Sequence, residues 1–193
     1  MIITDVVLFS GGLDSAVILL GRDPASTLAV FVGYGQSHED VEYSYARAFA
    51  ERHGYTLGFI DATGMLSGGL CGDGDSPVVP LRNALLLNLA CSIAEREGAE
   101  SVWIGCNRDD RKVFADCRPA FRLAFNAMLE ACESRVRVRM PLTMSTKRDV
   151  AALLRDRGGR VEDTWSCYYP TEEDEPCGEC MACKAREGVW ASR

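Results

Sequence analysis

The segment Val6-Val7-Leu8-Phe9-Ser10-Gly11-Gly12-Leu13-Asp14-Ser15 constrains this chain more than any other. An apolar run stops abruptly at a hydroxyl and two glycines, and a second apolar run, Ala16 to Leu20, follows almost at once. A short run without polar alternation suits a central parallel strand covered on both faces. The residues after it read as a tight turn entering a helix. Glycine at 11 and 12 permits positive φ and leaves no Cβ between the backbone and a ligand. Backbone amides at a helix N-terminus converge on one point and favour an anion, and Ser10 and Ser15 add hydroxyl donors. The segment predicts a cradle for phosphate or pyrophosphate. It is not a Walker A loop, because no lysine precedes Lys112, and Gly33-Tyr34-Gly35 lacks the third glycine of a dinucleotide fingerprint.

The rest of the chain predicts an α/β fold, a doubly wound, mainly parallel five-stranded sheet. Strands are expected at 2–9, 27–32, 55–60, 101–105 and, alternating arginine with Val136, Val138 and Met140, at 135–140. Helices are expected at 13–21, at 38–53 with Val41, Tyr45, Ala48 and Phe49 on one face, and from Arg82 to Arg96. That last helix is apolar nearly all round and should be deeply buried. Two more follow: one opening at Pro119 with the stripe Phe121, Phe125, Met128, Leu129 and Cys132, and one capped by Ser145 or Thr146 and ending at Gly158. Residues 62–80, rich in glycine with Pro77 and Pro80, read as a long loop or lid, and 106–117 as a polar connection. Residues 1–160 are expected to form the main domain and 161–193 a cysteine-bearing segment.

Composition excludes several classes. The chain has 193 residues and a net charge of −7, against broad nucleic-acid binding. No apolar run approaches a membrane span. The start lacks a basic region and carries Asp5 within its apolar stretch, unlike a signal peptide, so a cytoplasmic location is expected. Nine cysteines, an odd number, do not read as a disulfide framework. Cys167, Cys177, Cys180 and Cys183 have the spacing Cys-x9-Cys-x2-Cys-x2-Cys, with Gly178 at the knuckle. Four thiolates converging on one point satisfy a tetrahedral Zn²⁺, with an iron–sulfur cluster as the competitor. A closed four-cysteine site is structural, and would pin the last residues to the main domain. Trp165 is expected to pack; so are Cys71, Cys91, Cys106 and Cys132 as small core or loop residues.

The Ser-Gly-Gly-Leu-Asp-Ser pattern after an N-terminal strand resembles the PP-loop of N-type ATP pyrophosphatases. In order after it stand Tyr34-Gly35-Gln36 with His38, then Val79-Pro80-x-Arg82-Asn83 and Asp116-Cys117-Arg118-Pro119-x-Phe121. Thr164-Trp165-Ser166-Cys167-Tyr168 and Pro176-Cys177-Gly178-x-Cys180-x-x-Cys183 complete the set. Together they resemble the 7-cyano-7-deazaguanine synthase (QueC) family over nearly the whole chain. That resemblance implies a ligase for 7-carboxy-7-deazaguanine, ATP and ammonia. The acid is adenylated, ammonia gives the amide, and a second adenylation with loss of AMP gives the nitrile that precedes queuosine and archaeosine. It also implies Zn²⁺ and a homodimer.

On this resemblance ATP would be held by Leu8, Phe9, Ser10, Gly11, Gly12, Leu13, Asp14 and Ser15 with Gly35, Gln36, Arg82 and Asn83. Ser10, Asp14 and Ser15 are the candidate catalytic residues. Asp14 would hold Mg²⁺, or cap the first helix. Arg82 would contact substrate or phosphate. Asp116 would read the amino-pyrimidine edge, or cap the helix at Pro119, and Arg118 would pair with the substrate carboxylate. Cys117 has no committed base beside it and reads as packing. His38 would assist with ammonia or phosphate, or simply start a helix. The departures fall in the acceptor half: a short chain with a compact 62–80 loop, Leu81 where the family pattern has glycine, and Asp109 to Ala115 in place of a more aromatic, glycine-containing stretch. Two other readings stay open. An enzyme of this type would stop at the amide or join the acyl group to another amine, on a protein or nucleic acid, as in a defence system. A zinc-knuckle binding module would have lost its nucleotide site.

Overall fold

The computed structural model describes residues 2–71 and 76–190, the last two as backbone. Residues 72–75 of the expected 62–80 loop and 191–193 of the C-terminal segment lie outside the described residues. Five strands form one all-parallel sheet: β1 (Asp5–Leu8), β2 (Thr27–Gly33), β3 (Thr56–Asp61), β4 (Ser101–Trp103) and β5 (Arg137–Arg139). Their spatial order is β3-β2-β1-β4-β5. The chain winds outward from β1 to one edge, then returns to the other side of β1. The order reverses between β1 and β4, and ligands of open parallel sheets bind outside the strand ends at such a reversal.

Strand periodicity divides the core. Val6 and Leu8 of β1, with Val30, Val32, Val102 and Val138, face one layer. It contains α3 (Arg82–Glu97) and α4 (Pro119–Ala131). Val7, Phe9, Ala29 and Phe31 face the other. That layer holds α1 (Leu13–Leu20), α2 (Glu39–Arg52) and α5 (Lys147–Asp156). Thr146 caps α5: its hydroxyl accepts from Asp149 N at 3.1 Å, while the Asp149 carboxylate accepts from Thr146 N at 2.8 Å. Among the described residues no helix is long and apolar enough to cross a membrane.

Three expectations need correction. The helix α3 is not deeply buried all round. Leu87, Ala90, Cys91 and Ala94 pack inward, whereas Leu85, Leu86, Leu89 and Ile93 are half-buried, and Asn88 and Ser92 face outward. On α4, Phe125 and Leu129 are buried, but Met128 is exposed and Cys132 is an exposed C-cap. The absent Cβ of Gly11 makes room for protein rather than ligand: at its φ of +75° a Cβ would lie 2.8 Å from Ala46 N of α2. Gly12, with φ −78°, needs no left-handed geometry.

Leu81 caps α3 at φ 59°, in the left-handed region, with its side chain 76% exposed. A β-carbon there is strained, which gives a physical reason for glycine at this position in the family pattern. Leu81→Gly should therefore raise stability by about 1 kcal/mol, the strain relieved less the extra freedom of the unfolded chain. Urea denaturation measures this; a lower midpoint would contradict it.

Candidate functional site

The corner between β1 and α1 opens into a cavity of about 220 Å³. Leu8, Phe9, Ser10, Gly12, Leu13, Asp14 and Ser15 line it, as do Gln36, Arg82 and Asn83. The turn is internally bonded: Gly12 N donates to Ser10 Oγ at 3.3 Å, and Ser15 Oγ donates to Gly12 O at 3.0 Å. Gly11 and Gly35 do not line the cavity, and neither do Asp116 and Arg118. Arg118 is exposed, its Nε donating to Arg111 O at 3.1 Å. Asp116 does not cap α4. Its Oδ2 accepts from Asn83 N at 3.3 Å, so it supports the first turn of α3, where Arg82 and Asn83 enter the cavity.

Asp14 does not cap α1 either; Gly12 is the cap residue and has no side chain to accept from the first amides of the helix. Instead its carboxylate joins three segments. Asn107 Nδ2 donates to Oδ1 at 2.9 Å, and Lys147 Nζ lies 3.0 Å from Oδ2. Asn107 is fully buried, and its Oδ1 accepts from Asp109 N and Asp110 N, fixing the loop after β4. Lys147 is the first residue of α5, and its own N–H donates to Asp109 Oδ2 at 3.2 Å. Gly105 brings these loops together: a Cβ there would lie 2.9 Å from the Asp14 backbone. Burial works against the charge of Lys147, but Asp14 and Asp110 outweigh it and hold the amine above its ordinary range. Burial raises the Asp110 carboxyl, which Lys147 partly offsets and Asp14 reinforces. Asn107, Asp110 and Lys147 were not singled out from the sequence. The signal for the first two was their position just beyond β4, at the reversal in strand order.

Tyr34, His38, Glu42, Arg82 and Tyr168 also line the cavity. Arg82 Nη1 donates to Tyr34 Oη at 3.3 Å and lies over the Phe114 ring. Gln36 Oε1 accepts from Tyr34 N at 2.9 Å, and its Nε2 donates to Glu42 Oε2 at 3.1 Å. His38 is more than a helix start: it is buried, with Nε2 3.8 Å from Glu42 Oε2. Burial, helped by the charge of Arg82, lowers its pKa to about 4. Burial raises that of Glu42 to about 7 against the Gln36 hydrogen bond and Arg82.

The C-terminal segment forms a wall of the same cavity. Trp165 N donates to Gly11 O at 3.0 Å, and Trp165, Ser166, Tyr168 and Ala182 line the space. The expected packing of Trp165 is present, its ring 5.2 Å from that of Tyr45. Behind it Cys167, Cys177, Cys180 and Cys183, the last on α6 (Met181–Trp190), bring their sulfurs within 4.8 Å of one another. A tetrahedral ion with metal–sulfur bonds of about 2.3 Å sets its sulfurs about 3.8 Å apart. Cys167–Cys177 at 3.5 Å and Cys177–Cys183 at 3.9 Å match that spacing. Backbone N–H groups of Tyr169 and Cys177 donate to Cys167 Sγ, and that of Cys180 to Cys177 Sγ, which favours thiolates. The donor set fits a metal ion.

Comparison with known proteins resolves which PP-loop family this is. The sequence profile described as Queuosine biosynthesis protein QueC matches residues 72–192. A 7-cyano-7-deazaguanine synthase from a Nitratiruptor species is 33% identical over 94% of this chain and 90% of its own length. The chain belongs to the QueC family. Another QueC relative, the 7-cyano-7-deazaguanine synthase of Acidobacterium capsulatum, is 36% identical over 94% of this chain and 89% of its own. Among solved structures, the U34-tRNA thiolase NcsA from Methanococcus maripaludis, with its [4Fe-4S] cluster, superimposes with a TM-score of 0.59. At 17% identity, over 98% of this chain and 64% of the thiolase chain, it supports the fold that this QueC chain adopts.

The Asp14–Lys147–Asp110 cluster carries a pH-dependent consequence. Lys147→Met should cost about 2 kcal/mol of stability at pH 7, less than breaking a fully buried pair because the cluster meets the cavity. Without the amine the Asp110 pKa rises further. A raised carboxyl pKa favours the folded state at low pH and loses that contribution as pH rises through the folded value. The deficit should therefore shrink at pH 5, by denaturation at both pH values; an equal deficit at both would contradict this.

Proposed function

We propose that this QueC chain is an ATP-dependent ligase converting 7-carboxy-7-deazaguanine and ammonia to 7-cyano-7-deazaguanine, releasing AMP and pyrophosphate. The observation that carries the reading is the open cavity at the first β–α corner, lined by both the Ser10–Ser15 turn and Arg82. A carboxylate is a poor electrophile, and adenylation gives its carbon a good leaving group. Negative charge then gathers on the departing pyrophosphate. The amides and hydroxyls of residues 10–15 are suited to bind it, and Lys147, already charged beside Asp14, adds a cation there. Arg82 and Asn83 at the start of α3 are suited to the substrate, with Asp116 supporting them from behind. Gly35 and Arg118 have no such role in this reading, and Gln36 contributes through Glu42 rather than by touching nucleotide.

Asp14 and Asp110 are the carboxylates suited to Mg²⁺, which would neutralise phosphate charge when bound. Zn²⁺ is the proposed ion at the four cysteines, as the sulfur spacing supports a single ion over a cluster. Its role would be structural, with Trp165 and Ser166 kept at the cavity wall beside the four cysteines. A homodimer would cover the exposed Leu123 and Met128 of α4.

Incubation of the purified protein with the deazaguanine acid, ATP and ammonium should give nitrile, AMP and pyrophosphate by mass spectrometry. Amide as the end product would remove the second adenylation, and a product found only on a protein or nucleic-acid amine would replace ammonia as the acceptor. No pyrophosphate with any of these acceptors would contradict the ligase. Elemental analysis should find one zinc per chain. Cys180→Ser should lose it and weaken ATP binding at least tenfold, through release of the Trp165 wall; full ATP affinity without metal would contradict the structural role.

A further inference from the structure

The proposed reaction strips protons from nitrogen, and none of the residues placed above does so. Attack of ammonia on an adenylated acid leaves –NH₃⁺ on the new carbon–nitrogen bond. One proton must leave as the carbon–oxygen bond to AMP breaks, with AMP keeping the electron pair. After adenylation of the amide oxygen, the nitrogen is =NH₂⁺. Two more protons must leave it as AMP departs and the triple bond forms. A base near neutrality inside the cavity serves all three losses.

We propose that Glu42 is that general base. The inference rests on the ligase reading and names a residue for its amine half. Glu42 sits in the first turn of α2 and lines the cavity, where its own backbone carbonyl abuts Gly11 of the phosphate-binding turn. Gln36 fixes Oε2 from one side, and His38 stands 3.8 Å away on the other. Oε1 receives no hydrogen bond from the described residues, which leaves it open to a proton donor in the cavity.

The other carboxylates facing the cavity, Asp14 and Asp110, belong to the proposed Mg²⁺ site. Asp14 accepts from Asn107 and Lys147, and Asp110 accepts from the Asn107 backbone. Arg82 is a permanent cation, and its Nη1 donates a hydrogen bond to Tyr34 Oη. His38 holds its proton too weakly to serve, at a pKa of about 4.

The charged and titratable groups around Glu42 set its proton affinity. Burial above all, and then Glu39 on the same helix, raise it, whereas Gln36 and Arg82 lower it. Tyr34, from the loop after β2, is held neutral with its pKa raised to about 12. Tyr168 packs on His38 with ring centres 5.8 Å apart. The balance leaves Glu42 near a pKa of about 7, where a carboxylate accepts a proton readily and returns it to solvent between steps.

Glu42→Gln keeps the shape and the partner of Gln36. With this variant, acid-dependent pyrophosphate release in the absence of ammonium should fall less than about threefold, while amide formation at pH 7 should fall 100-fold or more. Hydroxylamine, whose protonated adduct is far more acidic than that of ammonia and sheds its proton to water, should recover most of the trapping rate. Glu42→Asp should retain part of the rate with a shifted acidic limb in its pH profile, and Glu42→Gln should lose that limb. Equal losses in both half-reactions, or an unchanged limb, would overturn the assignment and make Glu42 a packing residue. Infrared difference spectra, which need no turnover, should show a carboxyl titrating near neutrality in the wild type and missing from Glu42→Gln. A carboxyl titrating in the ordinary carboxylate range would also overturn it. Absence of pyrophosphate release in the wild type would instead strike the ligase reading, while the infrared result still decides the proton affinity of Glu42.

Discussion

The Asp14 carboxylate is the joint on which the rest of the site depends. It belongs to the turn after β1, yet its two oxygens are taken by Asn107 from the loop after β4 and by Lys147 from the start of α5. Those segments are far apart in sequence and meet only because β4 lies beside β1 in the sheet. Gly105 permits the approach, since any side chain there would collide with the Asp14 backbone. The polar end of the cavity is thus a product of strand order as much as of the local motif. Partly buried acids and a lysine are tolerable there because each compensates another's charge.

A second constraint comes from the C-terminus. Trp165, Cys167 and Cys183 share a small apolar cluster with Val41 of α2. Trp165 N bonds the Gly11 carbonyl, so the four-cysteine knuckle and the phosphate-binding turn share a backbone contact. Arg186 on α6 adds hydrogen bonds to Thr164 and Ser166. A short segment with little apolar material of its own is held in this way, and a metal ion at its sulfurs would supply the cohesion that its core lacks.

Much of this was legible in the residues. Apolar runs without alternation marked β1 and β2, and the Ser10–Ser15 turn and the cysteine spacing are local patterns whose geometry follows from a few bonds. The Thr146 cap was legible for the same reason. What escaped depends on neighbours distant in sequence. Nothing in its local sequence marks Lys147, which joins the site because α5 lies beside α1. Asp116 reads as a cap for the helix that follows it, but it serves α3. Gly11 reads as ligand clearance, yet α2 fills the space. Helix α3 reads as fully buried because leucine is frequent on all its faces, though the sheet covers only one.

The central claim is that the β1–α1 corner holds the triphosphate of ATP while an acid is adenylated beside it. A crystal structure with a non-hydrolysable ATP analogue and the deazaguanine acid tests this most directly. The account requires the phosphates to lie against the amides of residues 10–15 and the Lys147 amine, with the acid beside Arg82. Nucleotide bound elsewhere, with that corner filled by protein side chains, would contradict it.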